Sequence, residues 1–202
     1  MAELAPDARP NPVASMRSLA ELVETDHLAR VFAVLLLSED DELTPDEVRE
    51  RTGVARATVY DDLRRLDEAG LAERATDGRP HRYRAVPDGL TLSPWQPLEP
   101  RERLYFLGLV VALARREENA NLETFLGRHG VETLADALAY TFERLEGRTT
   151  MRSMARALDL PVVEAETVFQ ELVAILGELD RSTDGPDLPA ELDAESLPQS
   201  GG

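Results

Sequence analysis

Arginine supplies most of the chemistry this chain could perform, and its placement is uneven. Arg56, Arg64 and Arg65 lie close together, and Arg79, His81, Arg82 and Arg84 follow as a second group. Guanidinium groups grip phosphate and read guanine edges through paired hydrogen bonds, so such clusters suit contact with a nucleic acid. Other chemistries are poorly supplied. The chain has no cysteine, which excludes thiol redox sensing and Cys-zinc sites. Its three histidines, His27, His81 and His129, have no metal-ligand spacing, so neither a metal nor a cofactor is expected. No GxSxG, Walker or GxGxxG segment occurs, and the carboxylates are too many to nominate a catalytic pair; no enzymatic activity is expected.

The elements around those residues can be read from local patterns. Leu28, Val31, Phe32, Leu35 and Leu36 recur at helical spacing and predict a helix from about Leu19 to Leu37. Thr44-Pro45-Asp46-Glu47 has the form of a capping box, opening a second helix that ends at Thr52-Gly53. A third helix is expected from Arg56 to Glu68, with Val59, Leu63 and Leu66 on one stripe and Gly70 as a left-handed cap; Ala55 departs from the usual oxygen-bearing N-cap. Two strand-like segments, 71–74 and 81–86, flank an Asp-Gly turn signal at 76–80. Two helices on a tight Thr-Gly-Val turn, followed by a hairpin, make a helix-turn-helix with a wing.

On these residues the chain resembles a known family. The segments GVARATVYDDLRRLDEAGLAER and GRPHRYRAV are similar to the winged helix-turn-helix of TrmB-like and MarR/IclR-type transcriptional regulators. The second half, from Gly127 to Leu176, is similar to a helical region found beside the winged helix in TrmB-like proteins of halophilic archaea. That resemblance implies a DNA-binding regulator. Sugar sensing does not carry over with the resemblance, because the second half is shorter than the sugar-binding domain of full TrmB regulators.

Helix geometry then assigns roles. At about 100° per residue the core stripe leaves Ala57, Asp61, Arg64 and Glu68 on the far side, flanked by Thr58, Tyr60 and Arg65. In a winged helix that side faces the major groove, and the first turns reach base edges. Arg56, Ala57, Thr58, Tyr60 and Asp61 are therefore the candidate readers, Arg64 and Arg65 the candidate phosphate clamps. Arg79, His81, Arg82 and Arg84 on the wing would follow the backbone or enter a narrow minor groove. Plainer readings stay open: Arg64 and Arg65 pairing with Asp61, Asp62 and Glu68 along the helix, wing arginines pairing with local acids, Tyr83 packed on the core, and Trp95 as a buried anchor between units.

The second half reads as helices throughout. Pro100-Arg101-Glu102 opens one that is apolar nearly all round from Leu104 to Ala114 and should end near Asn119 to Asn121, at the core centre or in a subunit interface. Two amphipathic helices follow, bounded by Gly130 and Gly147; then come a segment from Thr150 to Pro161 and a helix from Val163 to Leu176. That last pair is helix-turn-helix-like, but its second helix carries Glu164, Glu166 and Glu171, which would repel phosphate. It is expected to be structural or a partner surface. The expected order is a flexible arm (1–18), a winged helix-turn-helix (19–88), a Pro-rich extended connector (89–98), a helical dimerisation or partner domain (99–176) and an acidic disordered tail (177–202). The fold class is mainly α, with a β-hairpin wing.

Charge and composition set the background. All 22 basic residues are arginine against 39 acids, for a net charge of -17. Acid enrichment with lysine depletion is usual in proteins of salt-accumulating halophiles, and GC-rich coding alone also favours arginine. The total therefore does not exclude a nucleic acid. From 55 to 86 there are seven arginines and six acids, so this part is less acidic than the rest. No run is long enough for a membrane span, and the N-terminus lacks signal-peptide character, so a cytoplasmic location is expected. The expected partners are double-stranded DNA and a second copy through the C-terminal helices; a small effector is not identified. The expected function is that of a sequence-specific homodimeric regulator. The alternative is a winged helix reused for protein contacts within a larger assembly. Whether Arg56, Arg64, Arg65, Arg82 and Arg84 share a surface free of compensating acids separates the two; a neutralised surface favours the alternative.

Overall fold

The computed structural model describes residues 20–40, 42–75, 80–87, 91–93 and 96–182. Arg79, Trp95, the arm over 1–18 and residues 183–202 of the expected tail lie outside that set. The chain divides into two compact units, Met1–Glu99 and Pro100–Gly202. The fold is mainly helical, a winged helix-turn-helix followed by a helical unit.

In the first unit, α1 (Asp26–Leu36), α2 (Pro45–Thr52) and α3 (Arg56–Glu68) precede two short strands, β1 (Ala72–Arg74) and β2 (Tyr83–Ala85). The single helix expected from Leu19 is broken. Residues 20–24 are helical, but Thr25 is extended at φ -119 and ψ 98, and α1 starts anew with Asp26 in its positive first turn. The expected cap of α2 is present in full: the Glu47 amide donates to Thr44 Oγ1 at 3.3 Å and the Thr44 amide donates to Glu47 Oε2 at 2.7 Å. The Thr44 amide and hydroxyl, both donating to the Glu47 carboxylate, hold it below its ordinary range. Gly53 then turns the chain at φ 68, a left-handed conformation that side-chain-bearing residues enter at a cost, and α3 follows at once. Val59, Leu63 and Leu66 are buried against α1 and α2 as the stripe required.

The wing strands pair antiparallel with Ala72 opposite Ala85, Glu73 opposite Arg84 and Arg74 opposite Tyr83. Leu43 adds a contact that the sequence pattern did not suggest. Its amide donates to Tyr83 O at 2.8 Å and its carbonyl accepts from Tyr83 N at 2.7 Å, so the segment before α2 lies on the wing's inner strand. Tyr83 is buried on the core side, as expected of a strand residue. The extended connector is also modified, because β3 (Thr91–Ser93) and β4 (Gln96–Pro97) pair antiparallel within it.

The second unit comprises α4 (Pro100–Ala114), α5 (Ala120–Leu145), α6 (Met151–Ala157) and α7 (Val162–Ser182). Helix α4 stops at Ala114, earlier than expected, because the chain turns through 115–118 and Asn119 serves the next helix instead: its Oδ1 accepts from the amides of Asn121 and Leu122 at 3.0 and 3.1 Å. Helix α5 is interrupted at Gly130, φ 78 and ψ 176, which accounts for the two amphipathic pieces read in sequence. Every residue of α4 from Leu107 to Ala114 is buried. It occupies the centre of its own unit, so its apolar surface is already covered and gives no reason for a subunit interface. Helix α7 runs six residues past the expected end at 176, with Leu179 fully buried, so the boundary of the tail moves beyond 182.

Candidate nucleic-acid interface

Helix α3 presents its outer face as the 100° spacing requires. Arg56, Ala57, Tyr60, Asp61, Arg64 and Arg65 are exposed and Thr58 is half-buried. Tyr60 is one of three exposed large apolar side chains among the described residues, at 44% exposure, and the Arg56 guanidinium stands 5.7 Å from its ring centroid. His81, Arg82 and Arg84 are exposed on the wing.

Charge compensation is extensive. Arg56 lies 3.6 Å from Asp46 of α2, Arg64 lies 3.6 Å from Asp61 and 3.0 Å from Glu68, and Arg84 lies 2.5 Å from Glu73 across the wing. Arg82 donates to the Glu42 carbonyl at 2.9 Å, with the Glu42 and Glu47 carboxylates 3.9 and 3.7 Å away. A hydrogen bond with Tyr60, then Asp46, raises the Arg56 pKa above its ordinary value, and Glu68 does the same for Arg64. Of the five arginines whose convergence was to be tested, only Arg65 makes no ion pair with a described residue. The surface is therefore largely neutralised. By the criterion set from sequence, this arrangement favours protein contacts over phosphate. Exposed pairs of this kind are worth only about 0 to 1 kcal/mol each, so they yield readily to another anion.

One residue of the site escaped the sequence reading. Asp62, which the sequence offers as one of the acids paired with Arg64 and Arg65 along the helix, has a side chain only 1% exposed, and its Oδ2 lies 2.6 Å from His27 Nδ1 on α1. The signal was present: Asp62 is three residues after Val59 and four before Leu66, on the core stripe itself. Burial pushes its carboxyl above the ordinary range, and the bond to His27 opposes that rise.

The second unit has a groove of its own, about 300 Å³, bordered by Phe125 and Arg128 of α5, Pro161, and Val163, Glu164 and Val168 of α7. Val162 and Val163 stand exposed at the start of α7, Val163 at 75%. No group of three or more metal-ligating side chains occurs among the described residues, and no described helix is long and apolar enough to cross a membrane.

Comparison with known proteins divides along the same line as the fold. Residues 24–88 match the family model described as sugar-specific transcriptional regulator TrmB. That match supports a TrmB-like transcriptional regulator with its DNA-binding domain in the first unit, and the family is one of regulators and not of enzymes. Residues 116–181 match a family of unknown function (DUF7437). No curated protein and no solved structure matches the chain.

Proposed function

We propose that this protein is a sequence-specific double-stranded-DNA-binding regulator that lays α3 in the major groove and sets the wing on the backbone or minor groove. The observation that carries the reading is the exposed face of α3, where Arg56 and Tyr60 stack on a helix that follows a tight Gly53 turn. Arg56, Ala57, Thr58, Tyr60 and Asp61 are proposed as readers; Arg64, Arg65, Arg79, His81, Arg82 and Arg84 are proposed as clamps. The chain is proposed to act as a homodimer, since regulators of this kind read two half-sites through two-fold symmetry. With α4 enclosed, Val162 and Val163 are the exposed large apolar side chains among the described residues of the second unit, for a partner copy to cover. Sugar specificity belongs to the family's description and is not proposed here.

Selection of duplexes from a randomised library by the purified chain, at low and at molar KCl, tests the reading. A recovered consensus with two-fold symmetry is the expected outcome. Failure to enrich any sequence at either salt overturns it. The second reading, a winged helix that docks another protein, is favoured by the carboxylate partners of Arg56, Arg64, Arg82 and Arg84, and it is what such a failure would leave standing.

A further inference from the structure

Asp62 is the one acidic side chain of α3 that the described core encloses, and the DNA reading makes no use of it. Its neighbours in sequence, Asp61 and Arg64, face solvent. Its Oδ2 meets His27 Nδ1 at 2.6 Å, while its Oδ1 is buried with no hydrogen-bond partner among the described residues. A carboxylate enclosed with half its acceptors unsatisfied is costly unless a counter-charge or a proton accompanies it. His27 can supply either. Its side chain is 42% exposed, so it exchanges protons with solvent while its ring reaches the interior.

We infer that His27 and Asp62 are positioning residues for the reading helix, holding α3 against α1 through a contact that is strong when the pair carries one proton and weak when it carries none. The inference rests on the DNA reading above. With the proton present the pair is net neutral, either imidazolium beside carboxylate or imidazole beside carboxylic acid. With the proton gone, a neutral ring donates to a buried anion whose second oxygen is bare. The charges acting on Asp62 are His27 from α1 and, from α3 itself, Arg65, which favours the anion, and Asp61, which opposes it. From the other elements packed on α3, Asp46, Arg49, Glu50 and Arg51 of α2 and Glu73 and Arg74 of β1 are exposed, and Glu47 of α2 is engaged in its cap. Asp26 and Arg30 of α1 each have an interaction of their own, and among the described residues His27 is the group within hydrogen-bond reach of Asp62. Thr58 and Tyr60 lie within about one helical turn of Asp62, so a loosened contact moves the readers directly.

The test is a pH series of duplex affinity at constant salt, using a duplex recovered by the library selection. His81 is a second imidazole, exposed on the wing proposed to meet phosphate, so every chain compared carries His81→Gln. In that background, affinity should fall about fivefold to tenfold between pH 6 and pH 8, a coupling of ordinary size for a linked site. His27→Gln and Asp62→Asn, which keep a neutral hydrogen-bonding group in place, should each flatten the profile. Thermal melting at each pH confirms that both variants are folded. A flat profile in the parent, or a His27→Gln chain that keeps the parent's pH dependence, overturns the inference and leaves DNA binding intact. Absence of duplex binding at every pH by the unsubstituted chain overturns the DNA reading and this inference together.

Discussion

The compensated arginines make the salt dependence of DNA binding a measurable property of particular carboxylates. Six described arginines of the helix and wing could meet phosphate: Arg56, Arg64, Arg65, Arg74, Arg82 and Arg84. Were all six free, the log-log slope of affinity against salt would be about -5, at about -0.9 per neutralised phosphate. An arginine that leaves a carboxylate to grip phosphate frees that carboxylate to take up a cation, so only Arg65 and Arg74, which make no ion pair with a described residue, add to the net release, and the predicted slope is about -2. Glu73→Gln releases Arg84, whose guanidinium is otherwise held at 2.5 Å on the opposite strand. One more uncompensated phosphate contact steepens the slope by about 0.9, so over a tenfold range of KCl, about 0.2 M to about 2 M, affinity should change about eightfold more than in the parent. Stability should hardly move, because both side chains are more than half exposed and such a pair contributes about 0 to 1 kcal/mol. Glu123→Gln on α5 removes the same charge far along the chain in the second unit and serves as the control. Fluorescence anisotropy of a labelled duplex across the KCl series reads both. If Glu73→Gln and Glu123→Gln share the parent's slope, Arg84 is not a phosphate contact and the pairing argument is wrong.

Three further outcomes are expected. Thr58→Ala or Tyr60→Ala should change preference at one or two base pairs by about 1 to 3 kcal/mol, whereas Arg82→Ala should weaken matched and mismatched duplexes alike; competition titrations against single-mismatch duplexes separate these effects. Gly130→Ala should destabilise the second unit by about 1 to 3 kcal/mol in urea unfolding. No atom lies within 4 Å of the added methyl, so this loss would come from the backbone at φ 78 and ψ 176, and an unchanged midpoint would refute that account. Arg115 grips Glu178 with both terminal nitrogens and holds the Glu178 carboxyl below its ordinary range. The folded-state pKa is thus the lower one, so the contribution is present above the unfolded value and lost as pH falls through the folded one. Partial exposure limits it to about 1 kcal/mol or less, and Glu178→Gln should abolish that part of the acid dependence in melting curves.

What the amino-acid order determined by itself is what short range determines. The Thr44 and Glu47 cap, the left-handed Gly53 and Gly70, the α3 stripe and the break at Gly130 all depend on residues within a turn of one another. Their geometry is therefore written in the spacing. The exposed face of α3 follows from the same period, which is why Arg56, Ala57, Tyr60 and Asp61 stand in solvent. The tertiary structure decided what those residues touch. Arg82 finds Glu42 across 40 positions and Asp62 finds His27 across 35, and Leu43 joins Tyr83 because α2 and the wing meet there. An ion pair or a buried carboxylate depends on which elements are brought within about 4 Å and on how much water is excluded between them, and neither quantity has a period along the chain. The same holds for α4: its apolar circumference is plain in the sequence, but whether α5 and α7 or a second subunit would cover it was settled only by packing.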